Sequence, residues 1–252
     1  MIKEISFKNN LGQTLRGFVN IPRKYDTAII ILHGFPGSSS HRVKKLSKML
    51  SLLGYLSMGF DFSGTDKSDG KFEDKLMSQE VKEIKYAIDY IKNNYSVKKI
   101  ILYGHSTGAV DAALYAHKDK RISKLILSGG LVDLKNSAKY DFNEKQISDF
   151  KNKGYITYYR SNHWTHRKKL KKAFYNEYFT LDVVKTLKKY KRPILVIHGD
   201  KDDVVPIANG YQVFKTANQP KKMVVIKNCN HDFSKLMNKI RLVYEINKFA
   251  KK

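Results

Sequence analysis

The chain has 252 residues, a length that suits one large α/β domain or two small ones. Hydrophobic residues make up 42% and charged residues 28%, a balance that supports a substantial core and excludes an intrinsically disordered chain. The formal net charge is +25, mostly from lysines scattered among many Ile, Asn, Tyr and Phe residues, so it reads as general composition rather than as a nucleic-acid footprint. A single cysteine, Cys229, excludes an intrachain disulfide and fits a reducing compartment. The first residues, "MIKEISFKNN", contain no apolar signal core, and apolar runs such as "AIIIL" are too short to cross a bilayer. The expectation is a cytoplasmic protein with no membrane span and no specific nucleic-acid partner.

In chain order, "EISFK" and "LRGFVNIP" alternate as half-buried strands do. "TAIIILHG" is a continuous apolar run ended by glycine, the pattern of a strand buried on both faces. "GYLSMGFDFSG", "VKKIILYGHS", "ISKLILSGG", "RPILVIHGD" and "KKMVVIKN" follow the same rule. Helical spacing lies between them. Val81, Ile84, Ile88 and Ile91 mark one helix face, and so do Leu236, Ile240, Val243 and Ile246 near the C-terminus. Thr107 to His117 is small and apolar enough to pack under a sheet. Strands alternating with helices predict a mostly parallel, doubly wound α/β sheet. Residues 133–190 interrupt the alternation with polar, aromatic and basic sequence of weak periodicity. The expected organisation is a core of 1–132 and 191–252 with 133–190 inserted as a cap over the ligand-binding edge.

One stretch carries chemistry. Gly104-His105-Ser106-Thr107-Gly108 lies between a buried strand and a helical run. Glycines two residues on either side of a serine allow a strained strand-to-helix elbow that lifts its hydroxyl clear of the backbone. A serine hydroxyl needs a base to take its proton and a carboxylate to orient that base. His231, in "NCNHDFS", follows the last strand and is the expected base. The acid should follow the preceding strand, where "VIHGDKDDVVP" offers Asp200, Asp202 and Asp203. An attacked carbonyl also needs oxyanion donors. The expected ones are the backbone N–H groups of Thr107, after the nucleophile, and of Phe35, in the loop "HGFPGSSS".

With those residues the sequence resembles the α/β-hydrolase superfamily over nearly all of its length outside residues 133–190. "HGFPG", "FDFSGTDKSDGKFED" and "HGDKDDVVP" resemble the feruloyl and cinnamoyl esterase branch of the carboxylesterases, which carries "HGF", "DFNGHGxSDGxFE" and "HGxxDxxV". The resemblance implies an α/β-hydrolase fold, Ser106 as nucleophile, Asp202 as acid and His231 as base, with Phe35 and Thr107 forming the oxyanion hole. It implies an inserted cap that shapes the acyl pocket, and hydrolysis of small acyl or aryl-acyl esters through an acyl-enzyme. Gly64-Thr65-Asp66 departs from the usual Gly-His-Gly of that branch.

Other residues read as structural. His33 and His198 each precede a glycine at a strand end and are expected to bond nearby backbone; His105 is expected to pack. His163 and His166 flank Trp164 without further ligands nearby, so neither a metal nor a cofactor is expected. Cys229 and His231 are too close on one loop to face each other. "GTDKSDG" lacks the Lys-Ser/Thr ending of a phosphate loop. The alternatives are a serine aminopeptidase or an acylglycerol lipase on the same fold, or a non-catalytic binding protein using the basic stretch between Arg160 and Arg192; Phe35 departs from the "HGGPG" usual in prolyl iminopeptidases. That stretch would steer anionic substrates or rest on an acidic partner. A small-molecule ester is the expected ligand, and a homodimer is compatible with the sequence.

Overall fold

The computed structural model describes residues 1–252. Eight strands form one sheet: β1 (Ile2–Lys8), β2 (Thr14–Asn20), β3 (Thr27–Leu32), β4 (Leu56–Phe60), β5 (Lys99–His105), β6 (Ile122–Ser128), β9 (Ile194–Gly199) and β10 (Lys221–Ile226). Their order is β1-β2-β4-β3-β5-β6-β9-β10. The β1–β2 and β2–β4 pairs are antiparallel and every later pair is parallel. The carboxyl ends of β3, β5, β6, β9 and β10 therefore share one edge. The doubly wound α/β sheet expected from the sequence is present.

The apolar runs are continuous because both sheet faces are covered, and alternate residues serve opposite faces. Ile30, Leu32, Leu102 and Val196 join the core beneath α2 (Met77–Asn94) and α3 (Thr107–Tyr115). Ile29, Ile31, Ile101 and Ile197 join the core beneath α1 (Arg42–Leu52) and α9 (Leu236–Lys251). No helix is long and apolar enough to cross a membrane.

The expected face of α9 is only half right. Val243 and Ile246 are buried, but Leu236 and Ile240 are exposed, and the inward stripe runs through Asn238, Leu242, Glu245 and Phe249 instead. Glu245 tolerates burial because Lys222 and Arg241 both reach its carboxylate, at 2.7 and 2.8 Å. A polar residue at an inward position hid the true stripe.

Residues 133–190 lie between β6 and β9, which pair directly. They form α4 (Leu134–Asp141), α5 (Glu144–Lys153), a hairpin of β7 (Tyr155–Thr157) and β8 (Lys169–Lys171), α6 (Lys172–Glu177) and α7 (Val183–Leu187). None of these is long enough to show periodicity. Local signals carry them: Asn143 and Gln146 form a capping box at α5, and Gly154 ends it at φ 77°. Phe142, Phe150, Phe174 and Tyr178 are buried among one another.

A buried charge cluster ties α3 to its surroundings. Lys75 Nζ donates to Glu80 Oε1 at 2.5 Å and to Thr65 Oγ1 at 2.6 Å. Glu83 accepts from the Ser63 N–H at 2.9 Å and Asn9 Nδ2 at 2.7 Å. Asp111 on α3 is buried with no donor bonded to its carboxyl oxygens. Burial and then the facing Glu80 push its pKa well up, which favours the protonated carboxyl at Asp111. Because the folded value is raised, the linked stability is complete below the unfolded carboxyl value and is lost as pH rises through the folded one. Stability of the wild type should fall across that window by about 1.4 kcal/mol per pH unit for one linked proton. Asp111→Asn, which supplies a permanent donor, should flatten the dependence. Urea titrations from pH 5 to 8 test this, and identical slopes for the two proteins would refute it.

Candidate active site

The elbow after β5 is built on contacts that only glycine permits. A Cβ on Gly104 would lie 2.1 Å from Gly108 O, and one on Gly108 would lie 2.5 Å from His33 O. Strand β5, helix α3 and the end of β3 thus approach backbone to backbone. Between the two glycines Ser106 takes φ 56° and ψ −126°, a conformation that costs a non-glycine residue about 1–3 kcal/mol. Its N–H donates to Ser128 O at 2.9 Å, which fixes the elbow to the end of β6. The side chain is half-buried.

The loop after β3 closes over this elbow. A Cβ on Gly34 would meet Ser106 Cβ at 2.8 Å, so the loop backbone passes directly beside the serine. His33 is buried, with Nδ1 3.0 Å from Gly34 O. Burial, reinforced by the Lys75 charge, lowers its pKa to about 3, so the ring is neutral and Nδ1–H donates to that carbonyl. Asp61, after β4, accepts the Ser39 N–H at 2.6 Å and anchors the far end of the loop. The N–H groups of Phe35 and Thr107 take part in none of the turn and loop hydrogen bonds.

His231 is in the loop after β10. Its ring lies against His105, centroids 4.8 Å apart, and over Gly129, where a Cβ would approach Cε1 to 3.2 Å. Nδ1 is 2.8 Å from Asp202 Oδ2 and 3.0 Å from Oδ1, and the ring makes no hydrogen bond to Ser106 Oγ. The three aspartates after β9 divide the work. Asp200 Oδ1 accepts the Cys229 N–H at 3.3 Å, Asp203 Oδ1 accepts the His231 N–H at 3.2 Å, and Asp202 alone meets the imidazole. Asp202 Oδ1 also accepts the N–H groups of Val204 and Val205, at 3.0 and 2.8 Å.

Sequence reasoning missed one partner of Asp202. His198 was expected only to bond backbone, and its Nε2 does lie 2.8 Å from Val205 O. The same nitrogen is 3.2 Å from Asp202 Oδ2. Nε2–H thus lies between two acceptors, and the buried ring props the carboxylate from below. Burial alone would push Asp202 up, but the hydrogen bonds from His198 and His231 and from the Val205 N–H outweigh it and hold the carboxylate well below its usual range. The "HGDKD" spacing is the available signal, since His198 at the end of β9 and Asp202 on the loop are four residues apart.

Of the other residues set aside on sequence grounds, Cys229 and His163 are bonded to neighbours of their own. The Cys229 Sγ donates to Asn230 O at 3.4 Å, and burial pushes the thiol up to about 11. His163 Nδ1 is bonded to Thr165 Oγ1 at 2.7 Å, and no three His, Cys, Asp or Glu side chains converge as a metal site.

Segment 133–190 lies against the β3 loop. The Phe35 ring stacks on Phe174 at 4.5 Å and neighbours Phe142 at 6.0 Å and Tyr158 at 6.3 Å. Phe72, from the loop before α2, meets Trp164 edge-on at 5.2 Å. Among these rings sits one carboxyl, Asp141, whose Oδ2 accepts the Tyr178 hydroxyl at 2.5 Å. Burial pushes Asp141 up to about 6 against the lowering effects of that bond and of the nearby His231 and Arg160.

Burial of His33 and His105 disfavours imidazolium at both. NMR titration of the imidazole C–H resonances should find neither ring changing charge between pH 5 and 8. A midpoint inside that range for either would contradict the buried, neutral assignment.

Comparison with known proteins gives a consistent picture. A family model described as serine aminopeptidase, S33, matches residues 23–235. A monoglyceride lipase homolog from Monkeypox virus is 21% identical over 243 residues, covering 87% of this chain and 87% of that protein. Lysophosphatidylserine lipase ABHD12 from Mus musculus is 24% identical over 228 residues, covering 86% of this chain and 52% of that protein. The chain therefore spans about half the length of that relative. Est1E from Butyrivibrio proteoclasticus, solved with ferulic acid bound, superposes with a TM-score of 0.81 at 24% identity, over 98% of this chain and 100% of that one. The esterase domain of a Rhodothermus marinus protein superposes at 0.75 with 19% identity, over 99% and 98% of the two chains. At such identities the structural likeness speaks to the fold, and it is the fold derived above. The family match extends from before β3 to the loop beyond His231, and on that basis the chain belongs to the serine aminopeptidase S33 family of α/β hydrolases.

Proposed function

We propose that the protein is a serine carboxylic-ester hydrolase with Ser106 as nucleophile, His231 as general base and Asp202 as the acid that orients it. The observation that carries this reading is the strained Ser106 elbow on the same sheet edge as the His231–Asp202 pair. Asp202 holds the proton on Nδ1, which leaves Nε2 free to accept the Ser106 proton as Oγ attacks the ester carbonyl. The carbonyl oxygen becomes an oxyanion, received by the N–H groups of Phe35 and Thr107. His231 then gives its proton to the departing alkoxide, leaving an acyl-enzyme. Water, activated by the same imidazole, attacks the acyl carbon, and Ser106 recovers its proton as the acid leaves. The Ser106–His231 hydrogen bond forms as substrate binds, since such bonds often tighten only in the Michaelis complex.

Residues 133–190 act as the cap. Phe142, Tyr158 and Phe174, facing Phe35 and Phe72, supply an apolar aromatic wall beside the nucleophile. That lining favours an acyl group carrying an aromatic or long apolar portion. The Asp141–Tyr178 pair and the unpartnered Tyr158 hydroxyl offer polar contacts at its inner end. A second reading, an acylglycerol lipase, is supported by relatives whose names are lipases.

Ser106→Ala should lower kcat for an activated ester by about three orders of magnitude or more while the circular dichroism melt persists. Turnover near wild type in that variant would end the reading. A panel of aryl-acyl esters, monoacylglycerols and aminoacyl amides then separates the esterase, lipase and peptidase alternatives.

The acid assignment has its own test. Asp202→Asn removes the carboxylate that fixes the imidazole tautomer, and kcat should fall by about a thousandfold or more. Asp203→Asn touches only a backbone N–H and should retain most activity. A larger loss in Asp203→Asn than in Asp202→Asn would transfer the role to Asp203.

A further inference from the structure

Helix α9 leaves four large apolar side chains on its outward side: Leu236 at 60% exposure, Met237 at 71%, Ile240 at 45% and Tyr244 at 50%. At 100° per residue they fall within an arc of about 100°, so they form one stripe rather than scattered singles. The opposite side of the helix is committed to the sheet through Leu242, Val243, Ile246 and Phe249. Isolated exposed apolar residues need no explanation, but a contiguous stripe on one helix does.

The surroundings of the stripe are cationic. Lys235, Arg241, Lys248 and Lys251 are exposed on or beside α9, and Lys45 and Lys48 are exposed on α1, which packs against it. Lys248 and Arg241 both lie over the Tyr244 ring, at 5.9 and 5.4 Å. The only acid on α9, Glu245, is buried and already paired with Lys222 and Arg241. Asp232, before the helix, is paired with Arg42. The stripe also adjoins the candidate site, because Leu236 comes five residues after His231 on the loop that carries it.

We infer that the outer face of α9 is a docking surface for an anionic lipid–water interface. An apolar stripe flanked by lysine and arginine is the arrangement that lets a helix lie in the plane of a charged bilayer, with apolar side chains below the headgroups and cations among them. A second copy of the chain fits the face poorly. An isologous contact would set these cations against their own copies on a molecule of formal charge +25. Docked this way, the protein would hold the His231 loop near the interface.

Cosedimentation with vesicles tests the inference. Wild type should bind phosphatidylserine-rich vesicles, with weaker binding to pure phosphatidylcholine and at high salt. The overall positive charge alone would give salt-sensitive binding, so the decisive comparison is apolar. The combined variant Leu236→Gln, Met237→Gln, Ile240→Gln, Tyr244→Gln should lose about tenfold or more in vesicle partitioning. Its hydrolysis of a small soluble ester should be unchanged, which separates this inference from the catalytic reading. In a second measurement, Met237→Cys carrying an environment-sensitive fluorophore should shift to the blue on phosphatidylserine vesicles. The native thiol, Cys229, is buried and will not compete for label. Absence of wild-type binding, equal binding by the fourfold variant, or an unshifted fluorophore would overturn the inference. So would a wild-type dimer in sedimentation velocity that the fourfold variant turns to monomer.

Discussion

The arrangement of the whole site depends on how closely the backbone of α3 passes the ends of β3 and β5. Gly104 and Gly108 lie so near other main-chain atoms that any side chain would collide, and this approach forces Ser106 into a left-handed conformation. The cost is offset by what surrounds it. The Ser106 N–H is bonded to Ser128 O, and α3 continues into a core of small residues, Ala109, Ala112 and Ala113. Backbone strain of this kind persists only where the surroundings over-determine it. Here two neighbouring strands, a helix and the β3 loop all bear on one residue.

The second layer of the site is electrostatic and reaches from two sides. Below Asp202, His198 and two backbone N–H groups gather around a carboxylate that also holds His231, so its charge and its orientation come from the same contacts. On the other side, burial, reinforced by the Lys75 charge, keeps His33 neutral, while His33 and Asp61 set the course of the β3 loop. Under the proposed chemistry, the donors facing the oxyanion are thus placed by groups that never touch it. Glu177 accepts the Ser78 N–H at 3.1 Å, which ties the first turn of α2 to the inserted segment. The inserted segment and the α/β core are therefore joined by a charged hydrogen bond as well as by ring contacts.

Much of this was legible in the sequence because the relevant rules are local or periodic. Continuous apolar runs ended by glycine mark the parallel strands, and spacing in the "GHSTG" stretch marks the elbow. Strand order put Ser106, the aspartate loop and His231 on one edge, because loops after parallel strands share an edge. Among three aspartates the sequence offered no local distinction beyond the resembled "HGxxDxxV" pattern. The pairing of Asp202 with His231, rather than with backbone as for Asp200 and Asp203, comes from the path of two loops that meet only in space.

What the sequence determined by itself was the sheet, its flanking helices, the elbow and the set of residues at its edge, since alternation, run length and glycine spacing are properties of neighbours along the chain. Tertiary structure decided the rest. It turned His198 toward Asp202, buried Asp111 against Glu80, and folded residues 133–190 through short capped elements whose aromatic rings find each other across the chain. It also rotated α9 so that Glu245 faced inward with two cations while Leu236 and Ile240 faced out. Each of these depends on a partner distant in sequence, and no period or motif within a single segment encodes where that partner will lie.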